Sequence, residues 1–157
     1  MLSLDARAGL EDLYADYAAR LDDGPLDTWP ELFAEECEYL LVPRDNYERE
    51  LPIAVIRCES IGMLRDRVRA VRETLMYEPR YLRHHVTNVR GRTREDGAID
   101  ARANFSVIEV LPDELPRVLM TGKYVDRVVR VNGELRFAQK HCVFDSVLVP
   151  NTIVLPV

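Results

Sequence analysis

The sequence predicts an α+β fold, with N-terminal helices packed over one face of a curved antiparallel sheet. Three observations lead there. Apolar residues recur at helical spacing near the N-terminus, four long strand-forming stretches fill the second half, and short turn signals join those stretches into a meander. The length of 157 residues suits one core, so residues 1–157 are expected to form a single domain.

The first helix is read from Leu10, Leu13, Tyr14, Tyr17 and Leu21, which recur every three or four residues between Leu4 and Leu21, with Gly24-Pro25 as the stop. Asp27-Thr28 ahead of Trp29, Pro30, Leu32 and Phe33 signals a shorter helix, capped by a polar side chain and carrying proline in its first turn. CEYLLVP, residues 37–43, is rich in strand formers and ends on Pro43. The polar stretch RDNYERELP reads as a loop, and IAVIRCES as another short strand. Ser60 then precedes Ile61, Met63, Leu64, Val68, Val71 and Leu75, a further helical stripe stopped by Tyr77-Glu78-Pro79.

YLRHHVTNVRGR, AIDARANFSVIEVLP, PRVLMTGKYVDRVVRV and ELRFAQKHCVFDSVL are the four long strands. Glu95-Asp96-Gly97, Leu111 to Pro116 and Asn132-Gly133 separate them. The Asn-Gly pair is the sharpest signal, because a two-residue hairpin needs positive φ at both central positions. Gly122-Lys123, isolated among strand formers, reads as a local bulge.

A composition of 47% hydrophobic and 31% charged residues describes a folded soluble protein, not a disordered one. The formal charge of −6 argues against nucleic acid or an anionic membrane as partner, since such binding neutralises phosphates with clustered Lys and Arg. The arginine-rich runs RDRVRAVR and VRGRTR are interleaved with apolar residues or acids and read as ion-pairing faces. Cys37, Cys58 and Cys142 have no ligand-like spacing, and their odd number fits a reducing cytoplasm better than a disulfide framework. With no run of about 18 apolar residues and no apolar stretch near the N-terminus, neither a membrane span nor a signal peptide is expected.

The chemistry turns on His84 and His85. A metal site needs three or four converging ligands, yet neighbours on a strand point to opposite faces, and His141-Cys142 has the same geometry, so no metal site is expected. G-x-S-x-G, G-x-G-x-x-G and G-x-x-x-x-G-K are all missing. General acid–base work stays open. A curved sheet under helices encloses a conical cavity, which could hold His84 or His85 with Tyr14, Tyr17, Asp22 or Asn104 for proton abstraction or dehydration. In the alternative, one histidine hydrogen-bonds within a packed strand while the other meets water or a partner chain.

Trp29 followed by ELFAEECEYLLVP, RHHVTNV at 83–89, ANF at 103–105, GKYVD at 122–126, RVNGELRFAQK at 130–140 and Asp145 form an ordered series. It resembles the small (β) subunit of bacterial aromatic-ring-hydroxylating dioxygenases from about residue 8 to 157. Arg83, His84, Val86, Thr87, Asn88 and Val89 match that family's strand, followed by Asn104-Phe105 and Gly122. His85 stands where relatives often carry an apolar residue. YEPRYLRH and the closing FDSVLVPNTIVLPV are similar to the terephthalate- and salicylate-type branch.

The resemblance implies the cone-shaped fold shared with nuclear transport factor 2, scytalone dehydratase and ketosteroid isomerase. It implies a hetero-hexamer of three large (α) and three small subunits, the small ones forming a trimer within it. The large subunit would hold a Rieske [2Fe–2S] cluster and a mononuclear iron, and this chain no cofactor of its own; it has neither the C-x-H nor the C-x-x-H pair of a Rieske centre. Such a subunit needs aromatic and arginine interface surface, for which Trp29, Tyr77, Arg80, Tyr81, Arg83 and Arg90 are the candidates. The expected function is therefore a non-catalytic, structural small subunit of a terminal oxygenase that hydroxylates or dihydroxylates an aromatic acid. The runner-up is a stand-alone cone-fold lyase or isomerase with His84 or His85 as base, assisted by Tyr14 or Asp22. A third reading is a small-ligand binding module using the same cavity.

Overall fold

The computed structural model describes residues 1–73, 80–149 and 155–157. Helix α1 (Leu4–Asp22) begins at Ser3, whose hydroxyl accepts from the Ala6 N–H, and it buries the five residues of its apolar stripe. The second helical segment, Leu26–Leu32, is a 3-10 helix. Pro30 sits inside it and has no N–H to donate to an α-helical ladder. Strand β1 (Phe33–Pro43) starts earlier than expected, because Phe33 already pairs with Phe137 across an irregular stretch whose Ala34, Glu35 and Glu36 break the apolar pattern.

The expected polar loop contains a short helix, α2 (Arg44–Glu48), closed by an Arg44–Glu48 ion pair of 2.8 Å one turn apart. Strand β2 (Ile56–Cys58) follows, then α3 (Ile61–Glu73), whose Met63 N–H is capped by the Ser60 hydroxyl. The expected continuation to Leu75 and the stop at Tyr77-Glu78-Pro79 lie outside the described residues. Strands β3 (Tyr81–Thr93), β4 (Ile99–Val110), β5 (Arg117–Val131) and β6 (Glu134–Phe144) are the four expected strands. Asn132 and Gly133 both have positive φ, 51° and 86°, as their hairpin demands.

The described strands form one six-stranded sheet in the order β2-β1-β6-β5-β4-β3. The meander from β3 to β6 is antiparallel, as is β2 with β1, but β1 runs parallel to β6, so the sheet as a whole is mixed. The chain leaves β1 through β2 and α3 before the meander begins, so β6 returns beside β1 in the same direction. That long crossover has no local sequence signature.

Helix α1, the 3-10 helix and α3 pack over one face of the sheet. Between helices and sheet lie Trp29, Phe33, Tyr39, Phe105, Tyr124, Phe137 and Phe144, each almost wholly buried. Their rings meet edge-on or stacked: Trp29 lies 5.2 Å from Phe33 and 5.3 Å from Tyr39, and Phe105 stacks on Tyr124 at 4.5 Å. A smaller cluster of Leu40, Val42 and Val143 sits on the other face, against Tyr47, Ala54 and Val125.

Two strand irregularities correct the sequence reading. The bulge expected at Gly122-Lys123 is absent there: Phe105, Gly122 and Phe144 stand in regular register across β4, β5 and β6. Glycine is required instead by close approach, since a Cβ at Gly122 would collide with the Val143 carbonyl oxygen and lie 2.8 Å from the Phe144 Cα. The bulge in β3 falls between Thr87 and Arg90, with Asn88 in the left-handed region at φ 56°. Gly122→Ala is accordingly expected to cost about 3 kcal/mol or more by overpacking backbone against backbone, measured as a lowered urea midpoint.

Candidate functional site

Because the bulge lies beyond them, His84 and His85 keep strict strand alternation. His84 faces inward at 6% exposure with Leu82, opposite Val107, while His85 is exposed opposite Ser106. The pair is therefore not a unit. Asp22, the last residue of α1, meets His84 twice: its Oδ2 accepts from the His84 main-chain N–H at 2.8 Å, and its Oδ1 lies 2.6 Å from His84 Nδ1. A carboxylate opposite Nδ1 fixes the ring proton there. His84 Nε2 is buried and has no hydrogen-bond partner.

Of the other residues considered for acid–base chemistry, Tyr14 lines the same groove as His84, between α1 and β3. Its hydroxyl, however, donates to Asp126 Oδ2 at 2.5 Å. Tyr17 donates to the Val157 carbonyl at 2.5 Å, and Asn104 points outward, exposed, opposite Thr87.

The centre of the cone holds Lys140, at 0% exposure. Its Nζ lies 2.8 Å from Asp126 Oδ2, 3.1 Å from the centre of the Tyr124 ring and 4.5 Å from that of Tyr17. The Tyr14 and Phe137 rings, each 4.8 Å away, complete the cage. Asp126 Oδ1 also accepts from the His141 main-chain N–H at 3.1 Å. Burial pushes the Lys140 ammonium below its ordinary value and the Asp126 carboxyl above its own, both directions expected when charge leaves water. Burial, reinforced by Asp126, holds Tyr14 well above the usual phenol range, so it stays protonated and donates.

Sequence reasoning passed over Lys140 and Asp126, although alternation places Lys140 in phase with Cys142 and Phe144, and Asp126 in phase with Tyr124 and Val128. His141 and Cys142 split between faces as expected. His141 Nε2 lies 2.5 Å from Glu38 Oε1 and its Nδ1 3.3 Å from the Tyr47 hydroxyl on the outer face. Cys142 is inside, where burial pushes its thiol up to about 12; the Cys37 thiol is likewise pushed up to about 11. These are protonated thiols at neutral pH, poor nucleophiles and poor ligands. Among the described residues no three His, Cys, Asp or Glu side chains converge on a point that would hold a metal ion.

The interface candidates separate sharply. Trp29 is fully buried against Phe33 and Tyr39, so it is core and offers no surface; an aromatic beside a helix end fits either role by sequence. Arg80 has a side chain only 7% exposed, 2.6 Å from the buried Glu109, which also takes Arg117 at 2.7 Å. Tyr81 is 76% exposed, Arg83 is exposed and paired with Asp23 at 2.9 Å, and Arg90 is exposed. Tyr77 lies outside the described residues.

Two predictions test these networks. Asp22→Ala leaves the His84 N–H and Nδ1–H without an acceptor, an expected loss of about 2–4 kcal/mol by denaturation, with hydrogen exchange accelerated first at 82–87 of β3. Lys140→Met strands the Asp126 charge and is expected to cost about 3–5 kcal/mol, most of which Asp126→Asn in the same chain returns. A double variant as unstable as the single one would refute the coupling.

Comparison with known proteins fits this architecture. The family model for the ring hydroxylating beta subunit matches residues 17–151. The anthranilate 1,2-dioxygenase small subunit of Burkholderia cepacia is 34% identical over 141 residues, covering 90% of this chain and 88% of that protein. Terephthalate 1,2-dioxygenase, terminal oxygenase component subunit beta 2, of Comamonas sp. is 28% identical over 142 residues, covering 90% and 92%. Among solved structures, a beta subunit assigned to an aromatic-ring-hydroxylating dioxygenase of Novosphingobium aromaticivorans superposes with a TM-score of 0.86 at 32% identity, covering 96% of this chain and 95% of that one. ActVI-ORFA of Streptomyces coelicolor, at 18% identity and a TM-score of 0.69 over 88% and 96% of the two chains, shares the cone fold of the nuclear transport factor 2-like proteins alone. With a model match across most of its length and a relative above 30% identity, the chain belongs to the ring-hydroxylating dioxygenase beta-subunit family.

Proposed function

We propose that this beta subunit has a structural role: it holds large oxygenase subunits together in a terminal oxygenase and contributes no reacting group. The observation that carries the reading is the filled cone. The space where a cone-fold enzyme would keep a substrate is occupied by the Lys140–Asp126 pair and its ring cage. The Rieske [2Fe–2S] cluster and mononuclear iron then reside in the large subunit, which oxidises the aromatic ring in the cytoplasm. Anthranilate and terephthalate, named in the relatives, are aromatic acids, so an aromatic acid is the proposed substrate class of the complex.

Assembly as three large and three small subunits is proposed, with the small subunits contacting one another and their large partners. The exposed Tyr81, with Arg83 and Arg90 on the same edge strand, is the proposed contact surface. A second reading draws on the Asp22–His84 pair, which has the arrangement of a base and its orienting carboxylate and would suit a lyase or isomerase with His84 as base. His85, turned outward, leaves that reading.

Co-expression with a Rieske-containing large subunit separates the two. The expected product is a co-purifying complex of three-plus-three mass, with Tyr81→Ala/Arg83→Ala lowering its yield at least about tenfold while the isolated chain stays folded. A chain that never co-purifies, yet alone dehydrates or isomerises a cyclic ketone, would reverse the assignment.

A further inference from the structure

We propose that the end of the sheet where β5 begins and β6 finishes docks the large oxygenase subunit, through an apolar surface of that subunit rimmed by basic side chains. This deepens the assembly reading, on which it rests, by giving the large subunit a surface separate from the Tyr81, Arg83 and Arg90 edge of β3.

Exposed apolar side chains gather at this end. Leu115, Val147 and Leu148 are 86, 83 and 81% exposed, and Val118 is 61% exposed. They come from two stretches that the fold brings together: Gly122 pairs with Phe144, and the Asp145 N–H donates to the Thr121 carbonyl at 2.8 Å, so residues 146–149 leave β6 beside the start of β5. Single exposed apolar residues are ordinary, whereas a group gathered at one place marks a contact surface.

The local structure holds these side chains outward. A bulge at Leu119, between the Met120 and Val118 pairings, sends Met120 into the core and leaves Val118 facing water. On the other stretch, Asp145 accepts from the Thr121 hydroxyl at 3.1 Å and lies 3.5 Å from Arg44, and the Ser146 hydroxyl donates to the Leu148 carbonyl at 2.6 Å. A surface formed before the partner arrives costs less entropy to dock.

Charge selects the partner. Asp113 and Glu114, next to Leu115, form no ion pair among the described residues. Arg117 and Arg44, beside the patch, are already held by other acids, Glu109 at 2.7 Å and Glu48 at 2.8 Å. A second copy of this chain would bring the same acids to the contact and be repelled, whereas Lys and Arg around an apolar centre answer them.

The test is co-expression with a Rieske-containing large subunit, followed by native mass spectrometry of the recovered complex. Val147→Ser/Leu148→Ser and Leu115→Ser/Val118→Ser change exposed positions, so the isolated chain is expected to keep its circular dichroism and urea midpoint. Each pair is expected to lower the large subunit recovered per small subunit at least about tenfold, while small subunits still associate with one another. Glu114→Lys is expected to lower it at least about threefold. Val131→Ser, an exposed position at the opposite end of β5, is expected to leave recovery unchanged. Recovery undiminished by either serine pair, loss of self-association with the large subunit retained, or recovery that Glu114→Lys leaves unchanged or raises would overturn the proposal while the assembly reading stands. An unsubstituted chain that recovers no large subunit would overturn both.

Discussion

The structure depends on a charge held where water cannot reach it. Lys140 and Asp126 face each other across β6 and β5 at the centre of the cone, and the elements around them are arranged to make that tolerable. Tyr14 comes from α1 to donate to the carboxylate, Tyr17, Tyr124 and Phe137 present ring faces to the ammonium, and the backbone of His141 supplies another donor. Desolvation pushes each partner toward neutrality, so an apolar replacement of the whole set is a more stable solution in principle. What the pair provides is register. Lys140, Asp126 and Tyr14 satisfy one another only when α1, β5 and β6 sit in one alignment.

That alignment has a second fastening at the far end of α1. Asp22 bonds both the backbone and the ring of His84, which ties the helix terminus to the edge strand. A beta subunit built this way presents a rigid body to its partners, its centre filled and its edge strand held in place. Fixed surfaces lose less entropy on association than mobile ones, a useful property in a scaffold.

Much of this was legible in the sequence because it is local. The α1 stripe, the four strands and the Asn132-Gly133 hairpin each follow from spacing or from a φ requirement. Alternation also separated His84 from His85 before any coordinates did. The parallel pairing of β1 with β6 was not legible, since it arises from a crossover between segments a hundred residues apart in sequence. The bulge sought at Gly122 lies instead at Leu119 of the same strand, between the Met120 and Val118 pairings, and a separate one lies in β3 at Asn88, where an asparagine adopts the left-handed conformation. Trp29 was misplaced because an aromatic serves a core and an interface equally well. Lys140 and Asp126 were missed because charged residues in strands are ordinarily read as solvated; their inward phase with Cys142, Phe144 and Tyr124 was the signal against that.

The central claim is that the chain supports an oxygenase without taking part in its chemistry. It is tested most directly by turnover of an aromatic acid per assembled complex, with His84→Ala and His85→Ala introduced separately into the small subunit. The account predicts that assembly or solubility falls, most for His84, while turnover normalised to assembled complex stays near the unsubstituted value. A large fall in normalised turnover with assembly intact would contradict it.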